Sequence, residues 1–68
     1  LESKEQAQAL LDAIEQLPPV QREAFLLQAE GGMAVEDISR VTGASFETTK
    51  SRLRYARNRL RELLQEFA

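Results

Sequence analysis

Three breaks divide this chain into stretches with helical periodicity. Pro18-Pro19, Gly31-Gly32 and Gly43 are the residues at these breaks. The residue before a proline avoids the helical region, and glycine accepts the left-handed conformation in which many helices end. Between the breaks, apolar residues recur at intervals of three and four, without the period-two alternation of a strand. The sequence therefore predicts an all-α, four-helix domain.

Each predicted helix has an apolar face that should point toward a common core. In chain order, the faces are Ala7, Leu10, Leu11, Ile14 and Leu17; Val20, Ala24, Phe25 and Leu27; Val35, Ile38 and Val41; and Leu53, Ala56, Leu60, Leu63, Leu64 and Phe67. Pro19 suits the first turn of the second helix, where its missing N–H costs nothing. Ser45 suits the N-cap of the fourth helix. We expect that helix to run from Phe46 to about Phe67, a length of roughly 30 Å.

The composition limits the classes of function. Residues 1–68 provide for a single small domain, and both Cys and His are absent. The chain therefore lacks the commonest general base and the commonest metal ligands. We expect no enzymatic activity, no catalytic residues, no cofactor, no metal and no small-molecule substrate.

The chain ends and the hydropathy pattern predict where the protein acts. No apolar run approaches the roughly 20 residues of a membrane span, so no membrane partner is expected. The chain starts at Leu1 without a basic and then apolar segment, so no signal peptide is predicted. We expect a cytoplasmic protein, of which this domain is a C-terminal fragment.

The charges are distributed unevenly along a chain whose net charge is −2. Residues 1–39 hold two basic and eight acidic side chains, whereas residues 40–68 hold seven basic and three acidic ones. Such a bipolar domain can turn one face toward a polyanion while the other face repels it. The pattern favours a nucleic-acid partner for the second half.

Residues from Val35 to about Arg54 match a helix-turn-helix, in which a short turn with Gly joins two helices. The second helix would be a long C-terminal recognition helix, whose first residues contact base edges in the major groove. The candidates for base contact are Phe46, Glu47, Thr48, Lys50, Ser51 and Arg54. Lys and Arg donate to guanine, Glu accepts from cytosine, and Ser or Thr can serve either. The candidates for phosphate contact are Arg57, Arg59 and Arg61.

An Arg-rich helix can also be a plain solvated surface. Lys50, Arg54, Arg57 and Arg61 are like charges three or four residues apart. Each such pair destabilises a helix by roughly 0.2–0.5 kcal/mol, so stability alone does not account for the pattern. Nucleic-acid binding is therefore favoured.

Tyr55 has two interpretations, packing at the edge of the core or contact with a phosphate. Arg22 is expected to pair with a nearby acid such as Glu23 or Glu15.

A wider pattern surrounds the motif. It comprises Leu17-Pro18, Arg22, Phe25-x-Leu27, Gly32, Asp37-Ile38, Gly43, Thr49-Lys50-Ser51-Arg52-Leu53, Ala56-Arg57 and Leu60-Arg61. Over about residues 10–64 the chain resembles region 4 of the sigma-70 family, with the short spacing of the extracytoplasmic-function group. The resemblance implies binding to double-stranded promoter DNA at the minus-35 element. It also implies docking on the beta-subunit flap of the RNA polymerase core, with an anti-sigma factor as a further partner.

The resemblance assigns the recognition-helix positions to Lys50, Ser51, Arg54, Tyr55 and Arg57. Four positions depart from the family pattern. They are Ala34 in place of a capping Ser, Ser39 in place of Ala, Thr49 in place of Val, and Tyr55 in place of Arg. The change at position 49 is expected to bring a hydroxyl close to the core.

Two other interpretations fit the residues. A LuxR-type response-regulator effector domain shares the four-helix layout and the Thr-x-Lys start of the recognition helix. A helical protein-interaction module that does not bind DNA would account for the acidic first half.

Overall fold

The structure, a computed structural model, describes the backbone of residues 2–65 and the side chains of residues 4–65. Its four helices are α1 (Glu2–Glu15), α2 (Pro19–Ala29), α3 (Val35–Thr42) and α4 (Phe46–Leu63), and the described part of the chain contains no strand. The predicted all-α, four-helix architecture is confirmed. The helix boundaries follow the predicted breaks, with Pro19 in the first turn of α2 and Gly32 and Gly43 at positive φ.

The predicted end of α4 was wrong. The helix ends at Leu63, because the backbone of Leu64 turns out of the helical region, with φ −100° and ψ 9°. Most helical stability in proteins comes from packing of one face, and Leu60 is the last buried residue of α4. Phe67, the last residue of the predicted apolar face, lies outside the described residues.

The core consists of two clusters that α4 joins. One contains Ala13, Leu17, Ala56 and Leu60, and the other contains Ala24, Ile38 and Leu53. Because α4 contributes to both, it contacts all three other helices. The apolar stripe predicted for α4 is therefore the element around which α1, α2 and α3 pack.

Several predicted core residues are exposed instead. They are Ala7, Leu10, Leu11, Val20 and Val41, of which the last four are 39%, 57%, 47% and 65% exposed. The reason is angular, since only one stripe of each helix can face α4 and successive residues lie roughly 100° apart around a helix. Ala13, absent from the predicted face of α1, is buried in place of Leu11.

In α3, Thr42 is more buried than Val41, the residue predicted to lie in the core. Thr42 is half-buried and its hydroxyl donates to the carbonyl oxygen of Ile38 at 2.8 Å, whereas Val41 faces solvent. In α2 the half-buried side chains include Gln21 and Gln28 on one flank of the buried Ala24. Val20 lies on the other flank.

Candidate nucleic-acid interface

The turn between α3 and α4 is short and well hydrogen-bonded. Gly43 adopts the left-handed conformation, with φ 77°, and its N–H donates to the carbonyl oxygen of Ser39. Two residues later, the Ser45 hydroxyl oxygen accepts from the backbone N–H of Thr48 at 3.0 Å. Both features are standard ends of helices. They hold α3 and α4 in a fixed helix-turn-helix, as the sequence predicted.

One face of α4 is packed against the domain, which leaves the opposite face open. Thr49, Leu53, Ala56 and Leu60 are buried. The hydroxyl of Thr49, predicted to lie close to the core, is 2.9 Å from the carbonyl oxygen of Ser45 and donates to it. A buried hydroxyl with a partner carries little penalty. The orientation of α4 about its own axis is therefore set by packing.

The residues predicted to contact DNA all lie away from this packed face. Ser51 is half-buried, and the exposed ones are Phe46, Glu47, Thr48, Lys50, Arg54, Tyr55, Arg57, Arg59 and Arg61. The structure divides several of them between two sides of α4.

A groove lies on the first side. It has a volume of about 390 Å³ and is lined by Gln28, Val35, Phe46, Lys50, Leu53, Arg54 and Arg57. We call it the basic groove, because three cationic side chains surround an apolar floor. The ammonium nitrogen of Lys50 lies 5.5 Å from the centroid of the Phe46 ring, within the range of a cation–π contact.

The sequence did not predict the part played by Gln28. Its side-chain oxygen accepts a hydrogen bond from the Arg57 guanidinium at 3.2 Å, although the two residues are 29 positions apart. A polar residue near the end of α2 carries no local signal for such a contact. Only the packing of α2 on α4 reveals it.

The second side of α4 has a different character. Tyr55 and Arg59 line a shallower depression of about 310 Å³ together with Pro18, Gln21, Asn58 and Glu62. Arg59 forms an ion pair with Glu62 at 3.1 Å. Arg61, one turn after Arg57 and outside this depression, donates to the Asn58 side chain at 3.2 Å. These two arginines therefore have partners within the helix.

Tyr55 lies beside a cation rather than in the core. The guanidinium carbon of Arg54 is 5.3 Å from the centroid of its ring. The Tyr55 side chain is 52% exposed, so its predicted packing role at the core edge is wrong. Its contact with a phosphate stays a prediction.

The ion pairs leave the basic groove positively charged. Arg22 pairs with Glu15, one of its two predicted partners, at 3.7 Å. Arg40 pairs with Asp37. By contrast, none of the three cations of the basic groove forms a salt bridge with a carboxylate described in residues 4–65. A solvated face stabilised by ion pairs would instead have acidic side chains paired with these three cations.

No helix in residues 2–65 combines the length and apolar character that crossing a membrane requires.

Comparison with known proteins identifies relatives of this arrangement. The model of the family described as "Sigma-70, region 4" matches residues 7–60. The ECF RNA polymerase sigma factor EcfG of Rhodopseudomonas palustris (strain TIE-1) is 40% identical over 52 residues, which are 76% of this chain and 29% of the relative. The chain thus corresponds to less than a third of the length of that relative. No solved structure matches significantly.

Proposed function

Because this chain belongs to the sigma-70 region 4 family, in its extracytoplasmic-function group, we propose that it binds promoter DNA at the minus-35 element through α4. The single observation that supports this most is the basic groove, where three cations without a described acidic partner line the recognition helix. Such a surface attracts the phosphate backbone and presents donors to base edges.

The side chains of α4 divide between two kinds of contact in this proposal. Lys50 and Arg54 donate to guanine, and Glu47, Thr48 and Ser51 contribute polar contacts near the start of the helix. Arg57, Arg59 and Arg61 contact phosphates, which positions the domain without selecting sequence. For Arg59 the phosphate replaces Glu62, and for Arg61 it replaces Asn58.

Binding of the 68-residue chain to short duplexes tests the proposal. A preferred duplex is first selected from a randomised pool at low salt, and affinities are then measured by fluorescence anisotropy. Lys50→Ala and Arg54→Ala should each cost about 1–3 kcal/mol on the preferred duplex and less on random DNA. Arg57→Ala should weaken both duplexes alike and reduce the salt slope by about one.

Lys4→Ala is the matched control. It removes one positive charge from the exposed surface of α1 and should change neither affinity appreciably. If the chain bound its selected duplex no better than random DNA, the proposal of sequence-specific binding would fail.

The protein partners belong to the proposal as well. A groove of about 410 Å³ on α2, lined by Glu23, Leu26, Leu27, Glu30 and Gly31, offers a surface separate from the basic groove. We propose that the RNA polymerase core, with its beta-subunit flap, docks on the domain away from α4, and that an anti-sigma factor is a further partner. Pull-down of the flap by the chain, and its loss in Leu26→Asp, tests the docking.

The parent protein would direct polymerase to start transcription. In this proposal residues 1–68 form one domain at the C-terminal end of a cytoplasmic sigma factor, and a region that contacts the minus-10 element precedes it. A LuxR-type effector domain is not favoured, because the matching family is sigma-70 region 4. The same match does not favour a helical module without DNA binding.

A further inference from the structure

Phe46 occupies an unusual place for a large apolar side chain. It is the first residue of α4, directly after the N-cap Ser45, and 44% of its surface is exposed. It belongs to neither of the two core clusters. Core packing therefore does not account for an aromatic residue at this position.

The Phe46 ring faces the basic groove, where it contacts Lys50. The ring lies 5.5 Å from the ammonium nitrogen of Lys50, one turn further along α4, and both side chains line the basic groove. The contact restrains a long and flexible cationic side chain beside an apolar surface. Phe46 and Lys50 thus form one composite surface, apolar at one end and cationic at the other.

Among the base edges of the major groove, a thymine and a guanine are the bases that this apolar and cationic pair of side chains suits. Thymine alone of the four bases carries a methyl group there, and guanine presents two acceptors that suit a Lys ammonium. Side chains one helical turn apart are about 5–6 Å apart at Cβ, and bases along a strand are about 3.4 Å apart. The two side chains can therefore reach bases that are adjacent or one step further apart.

On the premise that α4 enters the major groove as proposed above, we infer that Phe46 is a specificity-determining residue. It contacts the 5-methyl group of a thymine that lies next to, or one base from, a guanine bound by Lys50. The preferred duplex therefore contains a thymine whose methyl group contributes to affinity.

Replacement of single thymines by deoxyuridine in the selected duplex tests this inference, because it removes the methyl group and leaves every base-pairing hydrogen bond. One position should weaken binding of the unaltered chain about three- to fivefold, the effect of one methyl-sized apolar contact. Phe46→Ala should bind the thymine and deoxyuridine duplexes equally, whereas Phe46→Leu should retain most of the difference. Circular dichroism checks that each variant stays folded.

A second measurement needs no variant. 5-Iododeoxyuridine at the sensitive position places iodine where the methyl group lies, and irradiation should crosslink it to Phe46 in the unaltered chain. A third measurement compares the unaltered chain with Lys50→Ala. Replacement of the neighbouring guanine by 7-deazaguanine should lower the affinity of the unaltered chain more than it lowers the affinity of Lys50→Ala.

Three results would overturn the inference: no thymine sensitive to loss of its methyl group, a methyl effect that persists unchanged in Phe46→Ala, or a crosslink to a different residue. In each case preferential binding of the selected duplex would leave the proposed function standing. Failure to prefer any duplex would overturn both together.

Discussion

The Arg57 guanidinium donates a hydrogen bond to the side-chain oxygen of Gln28 at 3.2 Å, which joins the recognition helix to the end of α2. Arg57 is thereby held along one wall of the basic groove. A cation that is already oriented loses less conformational freedom when it meets a phosphate. Under the proposed function, this contact between two helices should therefore favour DNA binding.

Gln28→Ala should lower DNA affinity modestly, by less than about 1 kcal/mol, because the Arg57 side chain becomes more mobile. The loss should disappear when Arg57 is already Ala. Anisotropy titrations of the two single variants and the double variant measure this coupling as a cycle. Strictly additive effects would show that the hydrogen bond does not act through Arg57.

The two helices of the helix-turn-helix start differently, and this difference predicts opposite effects on stability. Ser45 caps α4 through its hydroxyl, so Ser45→Ala should reduce the free energy of unfolding by about 1 kcal/mol. Ala34 holds the N-cap of α3 in an extended conformation without a side-chain hydrogen bond, so Ala34→Ser should raise it by up to about 1 kcal/mol. Urea unfolding followed by circular dichroism measures both. An Ala34→Ser variant no more stable than the starting chain would contradict the second expectation.

Alanine substitutions of Leu53 and Leu11 test which leucines belong to the core. Leu53 is 1% exposed and Leu11 is 57% exposed. Leu53→Ala should cost about 2–5 kcal/mol, a large part of the stability of a domain this small, whereas Leu11→Ala should change it by less than about 0.5 kcal/mol. Thermal unfolding distinguishes the two. A comparable loss in Leu11→Ala would mean that α1 buries the face predicted from its sequence.

Tyr55 is expected to act on DNA binding through Arg54, whose guanidinium lies beside its ring. Tyr55→Phe keeps the aromatic face and should retain affinity for the preferred duplex. Tyr55→Leu should weaken it by about 0.5–1 kcal/mol, the usual size of an exposed cation–π contact. If Tyr55→Phe were as weak as Tyr55→Leu, the hydroxyl group would be the important part, as in a phosphate contact.

The sequence predicted the elements that depend on neighbouring residues. The starts of α2, α3 and α4 follow from Pro19, the acidic first turn of α3 and the Ser45 cap, each of which acts within one turn of a helix. The buried stripe of α4 was also predicted, because its apolar residues recur with a clear period. The face of α1 was predicted less well, since its apolar residues occupy more of the circumference than α4 can cover.

By itself, then, the sequence determined four helices, the helix-turn-helix and the position of a cationic recognition helix, because local backbone preferences and periodicity depend on residues close together in the chain. Tertiary structure decided which face of α1 is buried and that Arg57 meets Gln28. It also decided that Lys50, Arg54 and Arg57, which helical spacing alone places on one side of α4, line a groove together with Gln28 of α2. These features depend on the angles at which α1 and α2 pack against α4. Those angles are set by contacts among residues far apart in sequence.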